Sequence, residues 1–168
     1  MDSTYLLIKM QYENSRGDST GLFQTVLAVA EEIGLEAALG YLEQCVTEKR
    51  LAWIDANLAA LPRSGSAVQD GYHIFFERYL GASAPQHGEI VEASPQRMVM
   101  HWWNECPTLN ACVRLGLDTR QVCRAAYHRP VNALLQRIDP RLRFSRSYDI
   151  IRPHAYYCEE MIWLAETV

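Results

Sequence analysis

The sequence predicts an α+β fold, in which an N-terminal helical layer packs on an antiparallel sheet of about four strands and two short helices are inserted between strands. Two observations lead to this prediction. Apolar residues recur at helical spacing up to about residue 80, and from residue 88 onward they alternate along the chain as they do in strands. Strand-like segments then close the chain at 141–148 and 155–165.

Helices in the first half of the chain are predicted at 22–34, 35–61 and 66–81. The apolar stripe of the second helix continues for about seven turns and stops at Pro62. The third helix begins with Ser66 and Gln69 as a capping box and ends at Gly81. Residues 1–18 end in the turn-rich "ENSRGD", and we treat them as an N-terminal arm of unassigned structure.

The second half of the chain is predicted to begin with a β-hairpin, in which strands at 88–93 and 97–104 flank the turn "ASPQ". Both sides of the second strand are largely apolar, so we expect it to lie centrally in the sheet. Short helices follow at 107–115 and 119–138. Pro130 removes a backbone donor from the second of them and should kink or divide it.

Length and composition indicate one soluble domain, predicted to span 1–168, with the arm at 1–18, a helical part at 19–82 and a sheet part with the cysteine-bearing segment at 88–168. Apolar residues make up 49% of the chain and charged residues 21%, which is typical of a folded globular protein. The net charge of −4 argues against a nucleic-acid partner. The sequence has neither an apolar run long enough to span a membrane nor a secretory signal, so we expect a cytoplasmic protein.

The chain has five cysteines, which is an odd number, and no export signal is recognised in its sequence. Both observations argue against a disulfide framework. Packing, metal binding and catalysis remain as roles. Cys45 and Cys112 lie on apolar helical stripes, and we predict that both are core residues. The sequence contains no C-x-x-C pair, no H-E-x-x-H, no glycine-rich phosphate loop and no G-x-S-x-G.

Cys106 is the cysteine whose position favours chemistry. Proline is preferred at the first position of a helix, so Pro107 places Cys106 at the N-cap. Unpaired backbone N–H groups and the helix dipole stabilise an anion there, so we expect a reactive thiolate that is a nucleophile or a metal ligand. The alternative is a small buried residue at a strand-to-helix corner. Cys123 lies one turn into the helix that begins at Asp118, among arginines that would also favour a thiolate.

Cys158 is followed by Glu159 and Glu160, which point to opposite faces of a strand, so one acid faces inward and needs a partner. Arg146 lies on the inward side of its own strand, and we favour it as a structural ion-pair partner. The functional alternative is that Arg146 or Arg152 binds the carboxylate of a substrate through its bidentate guanidinium.

The order of motifs in the second half resembles the L-2-amino-thiazoline-4-carboxylic acid hydrolase-like family. The resemblance covers about residues 88–165 and depends on "NECP" with Cys106, "LGLDTRQVC" with Cys123, "IDPRLRFSR" with Arg146 and "CEE" with Cys158. It implies an α+β domain and a hydrolase that opens a cyclic amidine-like ring in an amino-acid-derived substrate. It implies no catalytic set beyond the three cysteines, and Cys112 lies outside its pattern.

The leading hypothesis is therefore a hydrolase of a small C–N or C=N bond. The Cys106 thiolate would attack the amidine carbon, His101 or His154 would transfer protons, and Glu159 would orient the histidine. Arg146 or Arg152 would hold the substrate carboxylate, and Trp103 or Trp102 would line the pocket. The residues with these predicted roles are His101, Trp103, Cys106, Arg146, Arg152, His154 and Glu159.

Two alternatives use the cysteines differently. Cys106, Cys123 and Cys158 could hold zinc or another soft metal, with an open position for an activated water. The same thiols also fit a sensor without turnover that binds a small molecule, zinc, an iron–sulfur cluster or haem, since Cys-Pro occurs in haem-binding regulatory proteins. A third possibility is that all the cysteines are core residues.

Overall fold

The computed structural model describes residues 2–166 and confirms the α+β class, with helices packed on a four-stranded antiparallel sheet. The helices are α1 (Ser3–Asn14), α2 (Thr20–Ile33), α3 (Leu35–Asn57), α4 (Ala67–Gly71), α5 (Pro107–Leu115), α6 (Thr119–Ala126) and α7 (His128–Ile138). The strands are β1 (Gly88–Ala93), β2 (Arg97–Trp102), β3 (Leu142–Arg146) and β4 (Cys158–Leu164). A 3₁₀ turn, Leu58–Ala60, follows α3, and a π-helical segment, Tyr72–Leu80, continues α4.

The chain forms two compact units. The first consists of Met1–Lys49 and Cys106–Pro130, and the second of Arg50–Glu105 and Val131–Val168. Each unit has its own apolar core. The prediction that residues 1–168 form a single domain stays a prediction.

The first unit is helical and includes the segment that had no assigned structure. Residues 3–14 form α1, which begins at Asp2, whose carboxylate accepts a hydrogen bond from the backbone N–H of Thr4 at 3.0 Å. Ile8 of α1 is fully buried, and Phe23 of α2 belongs to the same core. The arm was not recognised as a helix because its turn-rich end dominates a short and only weakly amphipathic pattern.

The second unit is built on the sheet, whose strand order is β1-β2-β4-β3 with every neighbouring pair antiparallel. The predicted hairpin and the central position of its second strand are confirmed. One face of the sheet is apolar and packs with α4, the π-helical segment and α7 in a single core. That face contains Met100, Ile162 and Phe144 from three adjacent strands.

Three local predictions can be compared with the observed backbone. Gly81 ends the π-helical segment in the left-handed region, with φ of 70°, as the stop signal predicts. The prediction of a capping box is wrong, because Ser66 occupies the N-cap of α4 without a side-chain hydrogen bond to the helix. The predicted helix at 119–138 is divided at Tyr127, so Pro130 lies in the first turn of α7, where its missing N–H has no intrahelical partner to lose.

Within residues 2–166, none of the helices combines the length and the apolar character that crossing a bilayer requires.

Candidate functional site

The second face of the sheet carries charged and polar side chains, and a β-bulge in β1 concentrates acids on it. Glu89 pairs with His101 and Glu92 pairs with Val99, so Val91 is an extra residue between two register positions. Strand residues three apart normally point to opposite faces, but the bulge directs Glu89 and Glu92 to the same face. We call the face that bears Glu89, Glu92, Arg97, Ser145, His101 and Glu159 the polar face.

His101 lies between two carboxylates on the polar face. Its Nε2 is 3.0 Å from Oε2 of Glu159, a distance at which the ring N–H donates to the carboxylate, and its Nδ1 is 3.4 Å from Oε1 of Glu89. The ring of Tyr157 stacks on the imidazole with 3.8 Å between ring centroids. The cross-strand pairing of His101 with Glu159 explains the short contact, because facing residues on adjacent antiparallel strands bring their side chains together.

This placement is possible because β1 approaches β2 closely at Gly88. A Cβ atom at that position would lie 2.3 Å from the carbonyl oxygen of His101 and 2.6 Å from the ring of Trp102. Only glycine allows the two backbones to meet here. The edge strand can then present Glu89 to the imidazole.

A cavity of about 200 Å³ opens beside the His101–Glu159 pair. The residues that line it are Arg97, Val99, Ser145, Arg146, Ser147, Glu159, Glu160 and Met161. Of these, Arg146 and Glu160 direct their side chains to the apolar face of the sheet. Glu159 is therefore the member of the pair that lines the cavity, and His101 is not part of the lining. This arrangement differs from the expected roles, in which the histidine meets the substrate and Glu159 orients it.

Arg146 and Glu160 form the inward ion pair that the sequence favoured. Nε of Arg146 donates to Oε1 of Glu160 at 2.7 Å, and the terminal nitrogen of the guanidinium contacts the same oxygen. The side chains are 12% and 8% exposed, and the guanidinium also lies 5.5 Å from the ring of Phe144. A charge so deeply buried needs its partner, so Arg146 is held by Glu160 before any ligand arrives.

The other predicted site residues of the second unit lie elsewhere. Arg152 donates to the carbonyl oxygen of Asn104 at 2.7 Å, which ties a loop to the end of β2. Trp103 is nearly half exposed, and His154 is exposed in the turn before β4. Neither these two residues nor Arg152 line the cavity on the polar face.

Cys106 has the local geometry that its neighbour Pro107 predicts. It is the N-cap of α5, Pro107 opens the helix, and the Cys106 sulfur accepts the backbone N–H of Leu109 at 3.5 Å. The thiol is partly buried and belongs to the first unit, whereas His101, Glu159 and Cys158 belong to the second. Its enhanced reactivity and its role as a nucleophile stay predictions.

The structure does not support the metal alternative with Cys106, Cys123 and Cys158 as ligands. Among residues 2–166, no group of three His, Cys, Asp or Glu side chains is placed to hold a metal ion. Cys123 lies on α6 and Cys158 begins β4, so separate elements carry the three thiols.

Cys45 and Cys112 are buried, and their assignment to the core is confirmed. Burial raises the pKa of the Cys45 thiol. Burial, assisted by the nearby thiols of Cys123 and Cys106, raises the pKa of Cys112 to about 12. A thiol with this pKa is neutral and unreactive at physiological pH.

The free energy of unfolding at alkaline pH should depend on the raised pKa of the Cys112 thiol. Between pH 9 and 12 the folded state keeps the thiol proton that the unfolded chain releases, so the free energy of unfolding falls as pH rises through this window. Each proton contributes a slope of about 1.4 kcal/mol per pH unit. Urea unfolding from pH ~8 to ~10.5 should show a shallower decline in Cys112→Ala than in the unmodified chain. Parallel declines would contradict the assignment, whatever the absolute stability of the variant.

No family model matches the chain, and neither a curated protein nor a solved structure matches it. The resemblance to the L-2-amino-thiazoline-4-carboxylic acid hydrolase-like family therefore stays a prediction based on the quoted motifs.

Two features of the polar face were missed at the level of sequence. Arg97 alternates with Val99 and His101 along one strand, so its position on the same face was available from the period of two. The contribution of Glu89 and Glu92 was not available, because it depends on the bulge at Val91 and no turn or glycine signal marks that position.

Proposed function

We propose that the protein is a hydrolase that opens a cyclic amidine-like C–N or C=N bond in a small amino-acid-derived molecule. The motifs that resemble the L-2-amino-thiazoline-4-carboxylic acid hydrolase-like family support the reaction class. The observation that carries the proposal is the position of Glu159, which lines the cavity and whose carboxylate lies 3.0 Å from Nε2 of His101, a residue outside the lining. A carboxylate held in this way can serve as a general base for a water molecule.

In the proposed reaction, Glu159 takes a proton from water while the water oxygen bonds to the amidine carbon. The electron pair of the C=N bond moves to nitrogen, and this nitrogen receives the proton from Glu159. In the tetrahedral intermediate Glu159 takes the hydroxyl proton as the carbonyl forms, the bond from this carbon to the ring sulfur or nitrogen breaks, and the leaving atom receives that proton, so the ring opens with the net addition of one water. His101 acts through Glu159 by fixing the position of the carboxylate.

The Cys106 thiol is the alternative nucleophile, as the sequence predicts. In that route the Cys106 sulfur bonds to the amidine carbon and the bond from this carbon to the ring sulfur or nitrogen breaks, with the thiol proton passing to the leaving atom. Water then cleaves the new C–S bond, which forms the carbonyl of the product and restores the thiol. Serine is a good N-cap residue, so Cys106→Ser should preserve the start of α5 while it removes the thiol. This variant therefore separates the two routes without disturbing the fold.

The test is to incubate the full chain with L-2-amino-thiazoline-4-carboxylate and to measure the products by mass spectrometry and with a thiol reagent. The proposal expects a product that is heavier than the substrate by one water, formed at similar rates by the unmodified chain and by Cys106→Ser. Loss of turnover in Cys106→Ser alone would overturn the water route and favour the thiol. Binding without any product would overturn the hydrolase and leave a small-molecule sensor.

A further inference from the structure

We infer that Arg97 recognises the carboxylate of the ligand and that the cavity on the polar face takes a small zwitterion, with a carboxylate at the Arg97 end and a cationic amidine or amine at Glu159. This inference rests on the proposed function in one respect, since it takes the same cavity as the ligand site. It adds a residue that determines specificity and the orientation of the ligand between Arg97 and Glu159.

Arg97 is available to a ligand because its present partner holds it weakly. A terminal guanidinium nitrogen of Arg97 lies 3.2 Å from Oε2 of Glu92, and the two side chains are 51% and 48% exposed. Ion pairs as exposed as this one contribute about 0–1 kcal/mol to stability, because water screens the two charges. A ligand carboxylate that binds the guanidinium through two parallel hydrogen bonds can therefore replace Glu92.

The arginines predicted for this role are less suitable. The side chain of Arg146 points to the apolar face of the sheet, away from the cavity, and its buried pair with Glu160 holds it there. Arg152 is bound to the carbonyl oxygen of Asn104 and lies outside the cavity lining. Arg97 combines a position in the lining with a partner that is easily exchanged.

The size and charge of the cavity limit what it can hold. Its volume of about 200 Å³ is below the roughly 300–1,000 Å³ of pockets that bind drug-sized ligands, so an amino-acid-sized molecule is the expected occupant. Arg97 and Glu159 are both part of the lining and have opposite charges. A zwitterion pairs with both, whereas a neutral or singly charged molecule leaves one of them without a ligand partner.

The experiment measures binding directly by ligand-detected NMR, with L-2-amino-thiazoline-4-carboxylate and its carboxamide as the two probes. Arg97→Gln should weaken binding of the carboxylate by about 10- to 100-fold, the range expected for loss of hydrogen bonds to a charged group. Glu92→Gln is the matched control, since it breaks the same ion pair and frees Arg97. We expect Glu92→Gln to bind the carboxylate at least as tightly as the unmodified chain.

The carboxamide completes the test. It should bind more weakly than the carboxylate to the unmodified chain and should be insensitive to Arg97→Gln. Equal weakening by Arg97→Gln and Glu92→Gln would overturn the inference, because it would show that the ion pair matters only to the structure of the hairpin. If Arg97→Gln hydrolysed the substrate and bound it with unchanged affinity, the inference about Arg97 would be overturned and the hydrolase would stand. If binding depended on Arg97 but no hydrolysis occurred, the inference about Arg97 would stand and the hydrolase would be overturned.

Discussion

Glu159→Gln is expected to lower kcat for L-2-amino-thiazoline-4-carboxylate by about 10²- to 10⁴-fold, the usual contribution of a positioned general base. Glutamine has the size of glutamate and can still occupy the space between His101 and the cavity, but it cannot take a proton from water. Because the charge and not the shape is removed, kcat at saturating substrate should fall, and KM should rise as well, since Glu159 also pairs with the cationic end of the ligand. The measurement is a steady-state assay of product formation.

The chain offers a closely matched control at the π-helical segment. Nδ1 of His73 lies 2.6 Å from Oε2 of Glu77, and Glu77 is 34% exposed where Glu159 is 33% exposed. Glu77→Gln removes a carboxylate of the same exposure from a histidine pair that is outside the cavity on the polar face. It should retain full turnover, and a comparable loss in both variants would contradict a specific role for Glu159.

His101 is a positioning residue in this scheme, and its variants should have a different signature. His101→Ala leaves Glu159 without the ring N–H that fixes it, so kcat should fall while KM changes little. His101→Gln can donate from a similar position and should recover part of the loss. If His101→Ala raised KM alone, the residue would contribute to binding and not to the placement of the base.

The sequence predicted local chemistry well where one residue and its neighbours determine the outcome. Pro107 alone places Cys106 at an N-cap, and the structure has this cap. The alternation of Glu159 and Glu160 across a strand predicts that one acid is buried, and Arg146 is the partner found for Glu160. In both cases the prediction depends only on residues that are neighbours in the sequence.

Features that depend on the pairing of distant segments were not predictable in the same way. The bulge at Val91 changes which acids of β1 share a face with His101, and it is defined only by the register between two strands. The reversal of roles between His101 and Glu159 depends on where the cavity lies, and no periodicity describes a cavity. The helix at 3–14 was missed for a different reason, because packing against its own core outweighs its weak pattern.

Glu160→Gln is expected to lower the free energy of unfolding of the second unit by about 3–5 kcal/mol, because it removes the carboxylate that pairs with the buried guanidinium of Arg146. The same principle predicts recovery when the second charge is removed, so Glu160→Gln combined with Arg146→Met should be more stable than Glu160→Gln alone. Urea unfolding followed by circular dichroism measures both changes.

The exposed pair of Arg137 with Asp55 provides the control for this prediction within the same unit. Its nitrogen and oxygen are 3.3 Å apart, and the side chains are 52% and 56% exposed. Asp55→Asn should therefore cost no more than about 1 kcal/mol. A loss in Glu160→Gln as small as that in Asp55→Asn would mean that water screens the Arg146–Glu160 pair, and it would contradict the assignment of a buried ion pair to these two residues.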